Sequence, residues 1–232
     1  WIFQPASFID GWHGDGLIAM IPDEDMEASV RAIGRPVVCV STLMPTHYPV
    51  SVRVDDRAVG QMAARHFLDR GFRNFAFVGH SDMHPLSAFV VDRLQGYVQE
   101  IEAAGFTVQS ITHINDLEDL LRSLTLPAAV FAANDEYGTR TITAAERLGL
   151  RVPEQLAVLG VDNDDLLVES TTVALSSIEL PTYKIGFEAA ALLDELMRGN
   201  TPPRTEILLP PVGVVTRKRS EEHTSELQSP TI

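Results

Sequence analysis

The sequence has one cysteine, Cys39, among 232 residues. No intramolecular disulfide can staple the chain, and the place of Cys39 in the apolar run PVVCVS (36–41) marks a buried, inert thiol and a reducing compartment. No apolar run approaches the ~20 residues of a membrane span, and no signal peptide is visible. Basic residues are scarce: 18 Lys and Arg face 32 Asp and Glu, for a formal charge of −14, and no basic cluster is longer than Arg217–Lys218–Arg219. The chain as it stands lacks a nucleic-acid footprint, so any DNA contact is expected from residues outside it. Phosphate-loop and dinucleotide fingerprints are missing as well, with neither G-x-x-x-x-G-K-[ST] nor G-x-G-x-x-G present. No cofactor is expected.

What is there is enough for a substantial core, since 45% of the residues are apolar. One large domain or two coupled lobes could be built from it. The ends are read apart from the rest. RSEEHTSELQS (219–229) has no apolar periodicity and resembles translated sequencing adapter, so 219–232 is expected to be a non-native tail. WIFQPASFIDGWHGDG opens without a preceding strand, as in a fragment truncated at its N-terminus.

Between the ends, strand and helix alternate. Short, β-branched apolar runs occur at 16–21 (GLIAMI), 36–41 (PVVCVS), 50–55 (VSVRVD), 74–79 (NFAFVG), 128–134 (AAVFAAN), 156–162 (LAVLGVD) and 173–178 (VALSSI). Such runs suit parallel strands covered on both faces. Amphipathic segments at 25–33, 57–70, 86–104, 136–148 and 183–197 separate them, and Gly71, Gly105 and Gly149 stand where helix C-caps are needed. The expected class is α/β with open parallel sheets.

Open parallel sheets bind ligands beyond the carboxyl ends of their strands. Those ends read Asp55–Asp56, Gly79–His80–Ser81, Asn134–Asp135 and Asp162–Asn163. Carboxylates, amides and hydroxyls delivered to one rim suit a ligand rich in hydroxyl groups. Helix capping is the competing reading for Asp55 or Asp56 and more so for Asp135 and Asp164, whereas Asn134 and Asp162 close the strands themselves.

Metal and hydrolase chemistry both fail on spacing. Taking Asp162 as the first position of a calcium loop puts Leu167 where Gly is required and Val173 where the bidentate Glu belongs, and no His/Cys ligand set accompanies it. Ser81 sits in a near match to a G-x-S-x-G elbow, but Met83 replaces the closing Gly and His223, in the tail, is the only histidine after Asp162. No enzyme is expected.

The runs VRVDDRAVGQMAARHFLDRGFRNFAFVG, DRLQGY, AAVFAANDEYGTRTITAAERLGLRVPEQLAVLGVDND and LSSIELPTYKIGFEAAALLDELMRG together resemble the effector-binding region of LacI/GalR regulators. Within that group, WHGDGLIAMI and EILLPPVGVVTRK are similar to bacterial xylose operon regulators, in which an AraC-type helix-turn-helix domain follows the sensor domain. The resemblance implies a type I periplasmic-binding-protein-like fold over 1–218 with two Rossmann-like lobes, the first formed by 1–72 and 181–199, the second by 73–178 and 206–215. It implies ligand contacts from Asp55 (Asp56 if the register slips by one), Arg93, Asn134 and Asp162, with Asp164 and Asp165 capping the following turn. A guanidinium fork opposite carboxylate and amide acceptors can satisfy sugar hydroxyls, which donate once and accept twice.

The function so implied is that of a cytoplasmic sensor, a homodimer with no membrane contact. It would bind a small sugar, D-xylose or a relative, between the lobes and control operator DNA through a helix-turn-helix domain absent from this chain. A periplasmic sugar-binding protein of a transporter is the alternative.

Overall fold

The structure, a computed structural model, describes residues 13–40, 48–79, 87–111 and 113–217. Along the chain run β1 (Leu17–Ala19), α1 (Glu24–Ala32), β2 (Val37–Cys39), β3 (Ser51–Val54), α2 (Asp56–Asp69), β4 (Phe75–Val78), α3 (Ala88–Ala103), β5 (Val108–Ser110), a 3-10 turn (Ile114–Asp116), α4 (Leu117–Ser123), β6 (Ala128–Ala132), α5 (Asp135–Arg147), β7 (Leu156–Val161), α6 (Asp165–Val168), β8 (Ser176–Glu179), α7 (Thr182–Met197), β9 (Glu206–Leu209) and β10 (Gly213–Val215). The α/β class expected from the alternating pattern is the one observed. Two sheets form, in the orders β1-β2-β3-β9 and β10-β8-β7-β6-β4-β5. Every pairing is parallel except β10 against β8.

The four-stranded sheet, with α1 and α7, makes one compact unit. Val38, Val52 and Leu209 pack on Ala189 and Leu192 of α7, while Ala19, Ile21, Val37 and Cys39 pack on Val30 of α1. A helix thus lies on each face, which is why β1 and β2 read as unbroken apolar runs. Cys39 is buried among them.

The six-stranded sheet makes the other unit. Its central strand β6, AAVFA, is wholly buried, and β4 and β7 on either side are buried throughout. Helices α2, α3 and α5 each end at a glycine of positive φ, Gly71, Gly105 and Gly149. The amides of Phe72, Phe106 and Leu150 then reach back to the carbonyls of Phe67, Ile101 and Ala145. These are Schellman closures, which satisfy the last helical carbonyls.

Two expected boundaries move. Helix α2, expected with the first sheet, groups with the second, and the change of unit falls between Asp55 and Asp56. The expected terminal strand 206–215 is two strands: Glu206–Leu209 pairs with β3 in the first sheet, and Gly213–Val215 pairs with β8 in the second. Pro210 and Pro211 lie between them, and proline has no amide hydrogen to continue a ladder. Strand β5 and helices α4 and α6, of 3, 7 and 4 residues, are too short for a periodic pattern to mark them in the sequence.

Helices α2 and α3 touch backbone to backbone. A Cβ on Gly60 would lie 2.0 Å from the Arg93 carbonyl oxygen, and one on Gly96 would lie 2.1 Å from that of Arg57. Exposed ion pairing of Arg65 with Glu100 at 2.8 Å lines up the outer ends. Since that contact leaves no room for a methyl group, Gly60→Ala should destabilise the fold by about 1–3 kcal/mol through overpacking, read as a lower midpoint in urea denaturation.

One buried group in this layer has no partner. The Tyr97 hydroxyl makes no hydrogen bond among the described residues, its ring packs on Phe131 with centroids 5.1 Å apart, and burial pushes its pKa well up. Tyr97→Phe removes the unmet desolvation cost, so stability should rise by about 1 kcal/mol or more in the same measurement.

Candidate functional site

Strand β7 ends in an energetically unusual turn. Asp162 has φ 107° and Asn163 has φ 54°. Asparagine tolerates the left-handed region, but Asp162 lies beyond it, where side chains are disfavoured by roughly 1–3 kcal/mol per residue. Such a conformation persists only where surrounding bonds over-determine it. Here the Asp162 amide donates to Ile178 O at 3.0 Å, and the Asn163 amide donates to Ser177 Oγ at 3.0 Å. Ser177 Oγ in turn donates to Asp135 Oδ1 at 2.6 Å, and the Asp164 amide donates to Asp135 Oδ2 at 2.8 Å.

Asp135 therefore holds the turn with both carboxylate oxygens, fully buried. Burial raises its pKa, while the bonds from Ser177 and Asp164 and the charge of Arg217 pull it back down. Gly160 makes room for it: a Cβ there would fall 2.2 Å from Asp135 Oδ1. Asp164 then starts α6, accepting from the amides of Leu166 and Leu167 at 2.9 and 3.3 Å, the capping role expected of it.

The Asp162 carboxylate accepts no hydrogen bond among the described residues, in contrast to its neighbours Asp135 and Asp164. Although the residue is exposed by surface area, burial around its carboxyl raises its pKa to about 6; Arg93 opposes the rise and the charges of Asp135, Asp56 and Asp164 add to it. Arg93 itself is buried on α3, donating from Nε to Asp56 Oδ1 at 2.8 Å and from Nη1 to Ala133 O at 2.5 Å. With both charges buried, the pair's attraction is offset by desolvation, so it acts as a locator more than as a source of stability.

The expected residues are distributed as follows. Arg93, Asn134 and Asp162 belong to the second unit, at or beside the carboxyl ends of β6 and β7. Asp55, half-buried, closes β3 in the first unit, its amide donating to Leu209 O at 2.9 Å. Asp56, the alternative to Asp55, is the residue that meets Arg93. Asn134, expected to end its strand and not to cap, does cap α5: its Oδ1 accepts from the Tyr137 amide at 3.0 Å. Its Nδ2 donates to nothing among the described residues. His80 and Ser81 lie outside the described residues. Asp135, read as a helix cap, instead binds Ser177 and the Asp164 amide while Asn134 caps α5, and the parts played by Ser177 and Arg217 were not anticipated; only the glycine at 160, before a strand-ending carboxylate, hints at a close neighbour. No group of His, Cys, Asp and Glu that could hold a metal ion occurs among the described residues. Among them, too, no helix is long and apolar enough to cross a membrane.

Two α/β units with largely parallel sheets define a domain of the doubly wound kind, a class in which ligands bind beyond the carboxyl ends of the strands. The chain belongs to the periplasmic binding protein-like domain family, whose model matches residues 64–219. It is 29% identical to the xylose operon regulatory protein of Escherichia coli (strain K12), over 92% of this chain and 58% of that protein. It is 30% identical to the HTH-type transcriptional repressor CytR of the same strain, over 80% of this chain and 57% of that protein. Among solved structures, that of the xylose-binding transcription activator xylR superposes with a TM-score of 0.83 at 28% identity, over 92% of this chain and 60% of the other. A cellobiose complex of the transcriptional regulator CelR gives 0.76 at 25% identity, over 92% and 68%. The resemblance to LacI/GalR-type regulators and xylose operon regulators therefore holds, and these relatives are regulators, not enzymes. The chain spans less than two thirds of the length of the xylose and CytR regulators.

The raised pKa of Asp162 has a signed consequence for stability. In the unfolded chain the carboxyl titrates near 3.8, in the folded chain at about 6. Above pH 6 its charge therefore weighs against folding, and between about pH 6 and 3.8 the folded form takes up the proton first and recovers that stability. Asp162→Asn should be more stable than the parent at pH 7.5, with the advantage shrinking by pH 4.5. Paired denaturation curves at the two pH values check it, and a pH-independent difference would contradict it.

Proposed function

We propose that this chain is the sugar-sensing domain of a transcriptional regulator, and that its effector is D-xylose or a closely related sugar. The observation that carries the reading is the Asp162 carboxylate, held on strained backbone, accepting no hydrogen bond among the described residues and placed where Arg93 acts on it. A pyranose hydroxyl donates to such an acceptor, and the Asn134 Nδ2 supplies a donor beside it. Arg93 completes the proposed set of contacts in this unit. The names of the regulators reported above support both the sugar and the regulatory role. In this reading the domain works in the cytoplasm as a homodimer and reports through a helix-turn-helix domain elsewhere in the protein. Sugar binding biases that domain by differential affinity for two states.

Calorimetric titration with D-xylose, D-ribose and cellobiose tests the reading. D-xylose should bind most tightly, and Asp162→Ala should weaken it by ~2–4 kcal/mol while the variant stays folded. Unchanged affinity in the folded variant would move the site away from Asp162.

A further inference from the structure

Arg217 lies two residues beyond β10, outside any regular element, yet its side chain is largely enclosed. Its Nη2 donates to Asn163 Oδ1 at 2.9 Å and its Nη1 donates to Leu175 O at 2.9 Å. Its backbone amide donates to Ser176 Oγ, also at 2.9 Å, and its Nε is 3.5 Å from Glu169 Oε1. One planar guanidinium therefore bridges the positive-φ turn after β7, the lead-in to β8 and the end of α6. Ile178 O, Ser177 Oγ and Asp135 Oδ2 hold the turn from its amides; among the described residues, only Arg217 holds it from the Asn163 side chain.

We propose that Arg217 is a positioning residue of the sugar site: it touches no ligand, but fixes the Asn163 turn and with it the direction of the Asp162 carboxylate. The inference rests on the reading of Asp162 as a sugar ligand. Arg217 follows β10 by two residues, so displacing it changes sugar affinity, and by the same linkage sugar binding restrains it.

The test uses the full chain, D-xylose (or D-ribose or cellobiose if that is what the parent binds), and three variants, with Asp162→Ala as reference. Arg217→Ala should weaken binding about tenfold or more. Arg217→Lys should behave like it, because an ammonium keeps the charge but cannot span Asn163 and Leu175 in a fixed fork. Asn163→Gly, which removes the acceptor and accepts φ 54° without strain, should match Arg217→Ala, and the double variant should lose nothing further. Asn163→Gly also answers the question if Arg217→Ala does not fold. Amide exchange across 162–164 should quicken in the sugar-free variants. If Asp162→Ala weakens binding but Arg217→Ala and Asn163→Gly do not, or if Lys restores parental affinity, the positioning role is overturned. If Asp162→Ala itself leaves affinity unchanged, the site reading has failed, and exchange at 162–164 decides the clamp alone: quickened exchange upholds it, parental exchange overturns it.

Discussion

The Asp135 carboxylate is the constraint on which the rest of the second unit's rim depends. It sits at the first turn of α5, fully buried, and binds the Ser177 hydroxyl of β8 and the Asp164 amide beyond β7 with separate oxygens. A buried carboxylate with unmet acceptors would be expensive, so those bonds are close to obligatory. They tie the exit of β7 to α5 and β8, and they hold Asp162 and Asn163 at positive φ. Replacing Gly160 would push a methyl group into that carboxylate. The Asp162 carboxyl, which accepts no hydrogen bond among the described residues, thus stands on a turn that its neighbours hold.

The same division of labour recurs at Arg93. The backbone contact of α2 with α3 at Gly60 and Gly96 brings Asp56 and Arg93 within hydrogen-bonding distance. The guanidinium is then directed by Asp56 and by Ala133 O, the carbonyl just before Asn134. Arg93 is directed by the buried Asp56 and Ala133, and the Asp162 turn by the buried Ile178, Ser177 and Asp135, while Asn134 is fixed by the half-buried Tyr137 amide. That is the arrangement a preorganised site requires, since ligand affinity is lost whenever binding must first order the protein.

The sheets were legible in the sequence because their strands are covered on both faces, and continuous apolar runs such as AAVFA and LAVLGV have few other uses. The closing glycines of α2, α3 and α5 were legible for a similar local reason. Less was readable where long-range contacts decide. Pro210 and Pro211 fall inside the stretch 206–215 that was expected to be one strand, and only the pairing of Glu206–Leu209 with β3 shows that they separate two sheets. At the site, strand-end position singled out Asp162 and Asn134, and the resemblance drew attention to Arg93. Asn134 proved to cap α5 as well, and the roles of Asp135 and Arg217 depend on Ser177, Asn163 and Leu175, partners between 42 and 54 residues away in sequence. No spacing rule reaches that far.

The central claim is that Asp162 is kept unpartnered for a sugar hydroxyl. Carbon-detected NMR titration of its carboxyl, with and without saturating D-xylose, tests this most directly. Without sugar the group should titrate at about 6. With sugar its pKa should fall, because a hydroxyl donating to the carboxylate favours the ionised form, and xylose affinity should weaken as the pH drops through that range. A carboxyl that titrates near 3.8, the value for an unperturbed group, or one whose titration is indifferent to the sugar, would contradict the account.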